Sequence, residues 1–201
     1  MKLGITNIIL LLGGLGAFLF GMKYMGEGLE LVAGPKMKDL LEKLTRNPVI
    51  GFLVGMLVTV VIQSSSATTV MVMGFINAGI MDLAQATGVI FGANIGTTIT
   101  SNIVALTANV QARRAAFAHM SINCLGVRWV VILLKPFFAA VCAFVGFDPQ
   151  MSPSAPDFAL KASMTLAAFH SAFNVSNTIL LIWFVPYIER FVCWAIKPKK
   201  V

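Results

Sequence analysis

Two polar clusters interrupt an otherwise apolar chain, and both hold residue types that can replace water around ions. The first is Gln63-Ser64-Ser65-Ser66, extended by Thr68 and Thr69. The second is Asn94 with Thr97 and Thr98, inside Gly92-Ala93-Asn94-Ile95-Gly96-Thr97-Thr98. Serine and threonine hydroxyls donate hydrogen bonds to an oxyanion, while hydroxyl and amide carbonyl oxygens can coordinate Na⁺. A broken helix strengthens both kinds of chemistry. Its N-terminal end offers unpaired N–H groups and partial positive charge to an anion, and unwound carbonyls offer oxygens to a cation. Ser64, Ser65, Ser66, Asn94, Thr97 and Thr98 are therefore the candidate anion ligands. Gln63, Ser65, Thr68, Thr69, Asn94 and Thr97 are the candidate Na⁺ ligands. The simpler alternative is that these side chains bond back to their own helix and only assist packing. Two such clusters, each in an apolar segment too short to span a bilayer, favour a site.

The elements that must position them are set by composition. Hydrophobic residues make up 58% and charged residues only 11% of the 201 residues, and mean hydropathy is +0.86. A soluble domain carries about a quarter charged residues, so lipid is the expected solvent. The predicted class is an all-α integral membrane protein, one membrane domain over residues 1–201. The net charge of +7 does not imply nucleic acid, because the basic residues flank apolar segments where headgroups account for them. Cys124, Cys142 and Cys193 lie far apart and form no disulfide or metal spacing. The run Gly4–Met22 is longer than a signal-peptide core and lacks a small-residue cleavage site, so it is expected to stay as a membrane span.

Residues 23–48 predict an interfacial amphipathic helix, with Met37, Leu40, Leu41 and Leu44 on one face. Residues 49–81 predict a re-entrant helical hairpin with the serines at its tip. Its first arm, Val49–Ile62, has about 14 residues against the roughly 20 that a crossing needs. Residues 82–110 predict a discontinuous helix, because Gly92 and Gly96 bracket Asn94 and favour a break there. Ala115–Phe147 is a long apolar stretch expected to kink near Lys135-Pro136. A proline-rich loop covers Asp148–Asp157, a last span covers Phe158–Val185, and residues 186–201 read as a basic tail.

Other polar residues carry weaker signals. Ala118-His119-x-x-x-Asn123 recurs as Phe169-His170-x-x-x-Asn174, and each histidine is expected to be satisfied by its i+4 asparagine. Arg128 lies within an apolar stretch and invites a functional role, but can snorkel. No nucleophile elbow, zinc-protease motif or apolar carboxylate pair is present, so an enzyme is not expected.

The sequence Gln-Ser-Ser-Ser-Ala-Thr-Thr at 63–69, followed by Gly-Ala-Asn-Ile-Gly-Thr-Thr at 92–98, resembles the signature of the type II sodium/phosphate cotransporter family. Phe20-Gly21-Met22, Met25-Gly26-Glu27-Gly28-Leu29, Thr45-Arg46-Asn47-Pro48 and the two histidine elements resemble that family's first half. The resemblance implies Na⁺-driven phosphate transport by alternating access at the cell (inner) membrane. It implies a substrate site shared by two inverted repeats, with phosphate and Na⁺ held by Gln63–Ser66 and faced by Asn94, Thr97 and Thr98. No cofactor is implied beyond Na⁺ as coupling ion. This chain carries a single Gln-Ser-Ser-Ser, so a second copy or a separate second half is expected to complete the site. If the termini and Arg113-Arg114 share one side, seven basic residues there face six on the other. So small a bias permits an antiparallel homodimer. A carrier or channel for another oxyanion and a non-transporting membrane subunit are the alternative functions.

Overall fold

The structure, a computed structural model, describes residues 4–32, 39, 43–152 and 154–198. Among these the only regular structure is helical. α1 runs over Ile5–Val32, α2 over Pro48–Ile62, α3 over Ser65–Asn77, α4 over Leu83–Ala105, α5 over Val110–Ile132, α6 over Leu134–Val145, α7 over Phe158–Leu181 and α8 over Val185–Ala195. Three helical stretches are long and apolar enough to cross a membrane: Leu83–Ala105, Val110–Ile132 and Phe158–Ala195, the last continuing through a 3₁₀ turn at Ile182–Phe184. Leu57, Val61, Phe144 and Trp183 are exposed, as expected of side chains whose solvent is hydrocarbon. The chain is an all-α integral membrane protein.

Local chemistry sets the helix ends. Asn47 accepts from the Val49 N–H at 2.9 Å and Pro48 opens α2, the pairing of cap and proline that suits a helix start. Asp82 and Gln85 form a reciprocal capping box at the head of α4, with bonds of 2.7 and 2.8 Å. Asn109 caps α5 through the Ala112 N–H.

α2 and α4 make the tightest packing in the fold, along a seam of glycines four residues apart. Gly55 lies against the Val89 carbonyl, Gly92 against the Phe52 carbonyl, and Gly96 against Met56 and Thr59. The matches advance together along both helices, so the two run parallel. Small residues at this spacing let two backbones approach closely.

That seam explains a departure from the sequence expectation. The discontinuous helix predicted for 82–110 is not formed: Leu83–Ala105 is one unbroken helix through Asn94–Thr98. Gly92 and Gly96 are used for contact with α2 rather than for unwinding. The Thr97 and Thr98 hydroxyls bond to Ala93 O and Ile95 O within the same helix.

Two further boundaries move. Residues 23–32 continue α1 instead of beginning an interfacial helix, and residues 33–38 and 40–42 of that expected element lie outside the described residues. The expected tail at 186–201 is helical as far as Ala195. Pro186 starts the new helix, Ile188 and Val192 are buried, Phe191 stacks on Phe117 at 5.7 Å, and the Arg114 Nε–H donates to Ile196 O. The interruption near the proline at 136 falls at Leu133, between α5 and α6.

α7 ties the molecule together. Phe169 and Phe173 are fully buried and pack edge-on against Phe91 of α4 at 5.7 and 6.3 Å. Leu166 joins Val72, Ile76 and Ile90 in a second apolar cluster. Asn177 accepts from the Trp129 indole N–H at 3.2 Å. It fits only because its neighbour is Gly126, where a Cβ would come within 2.6 Å of the amide.

Candidate functional site

The break between α2 and α3 is the centre of the site. Gln63 ends α2 in the left-handed region at φ 62°, with its N–H bonded to Thr59 O at 2.7 Å. It is the one positive-φ residue other than glycine among the described residues. Left-handed backbone is unfavourable for a residue with a Cβ and concentrates at functional sites. Ser64 then takes extended backbone and caps α3, its Oγ accepting from the Ala67 N–H at 3.2 Å. Two helix ends thus meet within two residues, one offering carbonyls and the other N–H groups.

The Thr59 hydroxyl donates to the Thr68 hydroxyl at 2.9 Å across the break. Thr59 also packs against Gly96, which brings the start of α3 to the level of the Asn94–Thr98 stretch. The two clusters of the sequence are therefore neighbours, joined through Thr59. The sequence signal for this contact is the spacing Gly51-x-x-x-Gly55-x-x-x-Thr59 against Gly88-x-x-x-Gly92-x-x-x-Gly96, a pattern separate from the polar clusters.

The hydrogen bonds sort the candidate ligands. Thr68, Thr69, Thr97 and Thr98 donate to Ser64 O, Ser65 O, Ala93 O and Ile95 O at 3.1, 2.8, 3.3 and 2.7 Å. A carbonyl can only accept, so each of these hydroxyl hydrogens is committed and oxygen lone pairs remain. Thr68, Thr69 and Thr98 are buried and Thr97 half-buried. Ser65 is half-buried and Ser66 exposed, in the first turn of α3 where N–H groups have no partner within the helix.

Asn94 is only 6% exposed. Its Oδ1 lies 3.3 Å from His170 Nε2 of α7, and its Nδ2 is buried with no hydrogen-bond partner. The expected pairing of each histidine with its i+4 asparagine takes another form. Asn123 and Asn174 donate to the backbone carbonyls of His119 and His170, at 3.1 and 2.8 Å, and leave both rings to other partners. The His119 ring is exposed on α5, as is Arg128.

Gln63 borders a groove of about 400 Å³ that it shares with Thr100, Ser101, Ala112 and Ala116. A larger cavity of about 830 Å³ opens at the other end of α4, beside Pro48, Phe52, Asp82, Lys135 and Phe158. Its lining is overwhelmingly apolar, which does not suit a small hydrated anion.

Residues 17–147, which contain both clusters, match the family described as Na⁺/Pi-cotransporter. The chain belongs to the Na⁺/Pi-cotransporter family. An uncharacterized protein of Bacillus subtilis (strain 168), YqeW, is 33% identical over 212 residues, covering 95% of this chain and 64% of the relative. Sodium-dependent phosphate transport protein 2B of Homo sapiens is 36% identical over 124 residues, 60% of this chain and 18% of that protein. Sodium-dependent phosphate transport protein 2A of Rattus norvegicus is 34% identical over 145 residues, 68% and 22% of the two chains. This cotransporter-family chain therefore spans just under two thirds of the Bacillus protein and about a fifth of the animal proteins. No solved structure matches significantly.

Proposed function

We propose that this chain provides one half of a Na⁺-coupled carrier for inorganic phosphate in the cell (inner) membrane, with its site at the α2–α3 break. The observation that carries the reading is the helix break at Gln63-Ser64 in a chain of the Na⁺/Pi-cotransporter family. With 15 and 13 residues, α2 and α3 are about 22 and 20 Å long. Neither reaches across a hydrocarbon core of about 30 Å, so the pair enters and leaves the membrane from one side. Irregular backbone at that depth is tolerated where it faces protein or a water-filled cavity.

Ser65, Ser66 and the N–H groups at the start of α3 are the phosphate donors, and Ser64 holds the helix end that presents them. The lone pairs of Thr68, Thr69, Thr97 and Thr98, with the Gln63 carbonyl, are the Na⁺ ligands. Each Na⁺ entering down a tenfold gradient releases about 1.4 kcal/mol, and an inside-negative 100 mV adds roughly 2.3 kcal/mol per net charge. Two or three ions suffice to concentrate a divalent anion, and their charge offsets its burial.

A second copy of the chain, antiparallel in the membrane, or a separate second half completes the carrier. An exposed His119 and Arg128 on the membrane-crossing helix α5 support this, because polar groups at membrane depth are stable against protein or water and not against acyl chains. The test is uptake of inorganic phosphate into vesicles containing only this protein, with and without an inward Na⁺ gradient. Gradient-dependent uptake that Ser65→Ala abolishes is the result expected of two copies, and uptake only after a second polypeptide is added is that expected of a separate second half. Uptake unaffected by Na⁺, or unchanged in Ser65→Ala, overturns the reading.

A further inference from the structure

Asn94 has two chemically different ends, a carbonyl fit for Na⁺ and an amine fit for an anion, and the residue type cannot say which end faces a ligand. The structure distinguishes them. Resting on the phosphate reading above, we infer that His170 is a positioning residue that fixes the Asn94 amide, so that Asn94 serves the anion as a donor through its Nδ2.

Nε2 of His170 lies 3.3 Å from Oδ1 of Asn94. An amide oxygen can only accept, so Nε2 must carry a hydrogen and donate it. That bond takes one of the two lone pairs of Oδ1 and turns the carbonyl end of Asn94 toward α7. The amine end, on the far side of the same planar group, is buried and has no partner. A buried donor without an acceptor costs about 1–3 kcal/mol, more than a made hydrogen bond usually contributes. A donor retained in this state is one that a bound ligand or an ordered water completes.

The partner missing from Asn94 is an acceptor, which an oxyanion supplies and a cation does not. The surroundings agree. The nearby threonines on α3 and α4 have their hydrogens committed to backbone carbonyls and offer only lone pairs. The Asn94 amine is thus the donor that α4 adds to those of α3. Without His170 the amide would be free to turn over and exchange its two ends, since carbonyl and amine have nearly the same shape.

α7 has the means to hold the ring in place. Phe169, the adjacent residue, is fully buried against Phe91, Phe137 and Phe138. Asn174, one turn on, donates to the His170 carbonyl. The aromatic packing and Ser163, whose Oγ donates to Asn77 Oδ1 at 2.7 Å, fix α7 against α3 and α4.

The experiment has two readouts on the full-length protein in lipid. The first is ¹⁵N NMR of the His170 ring without added phosphate, which needs no transport. Protonated Nε2 with unprotonated Nδ1 is expected. The opposite tautomer would mean that Nε2 accepts from the amide, leaving the carbonyl for a cation, and would overturn the inference. The second is equilibrium binding of radiolabelled inorganic phosphate, with Na⁺ half-saturation measured at saturating phosphate. His170→Ala should weaken phosphate binding about tenfold, the equivalent of one hydrogen bond to a charged group, with Na⁺ half-saturation unchanged. His170→Gln, whose amide can donate to Asn94 Oδ1, should recover most of the loss. A change confined to Na⁺ half-saturation, or equal losses in Ala and Gln, overturns the positioning role and leaves the carrier reading intact. A wild-type protein that binds no phosphate with or without Na⁺ overturns both.

Discussion

Thr59 and Thr68 stand hydroxyl to hydroxyl at 2.9 Å, one at the end of α2 and the other at the start of α3. The bond closes the break from behind, while Gln63 and the serines form its tip. Both threonines are buried, so the pair fixes the angle between two helix ends that would otherwise be joined only by two residues of irregular backbone.

Replacing either threonine by valine keeps the volume and removes the bond. Thr59→Val should destabilise the protein by about 1 kcal/mol, and Thr68→Val by more, since Thr68 also donates to Ser64 O. The double variant should lose less than the sum of the two, because the shared bond is lost once. Denaturation midpoints of the two single variants and the double variant provide the check. Additive losses would show that the hydroxyls do not interact.

The glycine seam makes a graded prediction. Gly55→Ala and Gly92→Ala place a methyl into the carbonyls of Val89 and Phe52, which are backbone and cannot swing aside. Each should cost several kcal/mol or prevent folding, beyond the roughly 1–3 kcal/mol of ordinary overpacking. Gly88→Ala meets its neighbour at 3.4 Å and should be mild. Gly13→Ala, with open space around it, should be neutral or slightly stabilising through helix propensity. The yield of folded protein and its thermal midpoint should follow that order.

Gln63 separates stability from function. Its left-handed backbone disfavours a residue with a Cβ by about 1 kcal/mol, which glycine relieves. Gln63→Gly should therefore raise the unfolding midpoint while weakening Na⁺ activation of phosphate uptake, because the side-chain carbonyl is gone. Gln63→Val should lower both. A glycine variant with unchanged Na⁺ dependence would exclude the side chain from the cation site.

At the head of α7, Lys161 bonds to Asp157, which precedes the helix, at 2.8 Å and holds its carboxyl below the usual carboxylate range. A depressed folded-state pKa stabilises the protein at pH values above the unfolded carboxylate value, and that gain is lost as pH falls through the lower, folded value. The pair is solvent-exposed, so the effect is small. Unfolding midpoints of wild type and Asp157→Asn should differ most near neutral pH and converge in strong acid. A gap that widens on acidification would contradict the pairing.

The sequence alone determined the solvent and the ingredients. Scarce charges and long apolar runs exclude a water-soluble domain, since no rearrangement in space can create polar surface from residues that are absent. The break at Gln63-Ser64 was legible for a local reason: four polar residues end an apolar run, and a serine is a ready helix cap. Asn94–Thr98 misled because glycine permits two outcomes, unwinding or close approach. The choice belongs to whatever lies opposite. Here α2 lies opposite, and its own glycines at matching spacing make contact more favourable than a break. The tail misled likewise, since Ile188, Phe191 and Val192 become a helix face only once α5 is there to cover them. Which end of Asn94 is free was also beyond any local reading. It is decided by a ring 76 positions away in the chain, brought to the amide by the packing of α7 on α4.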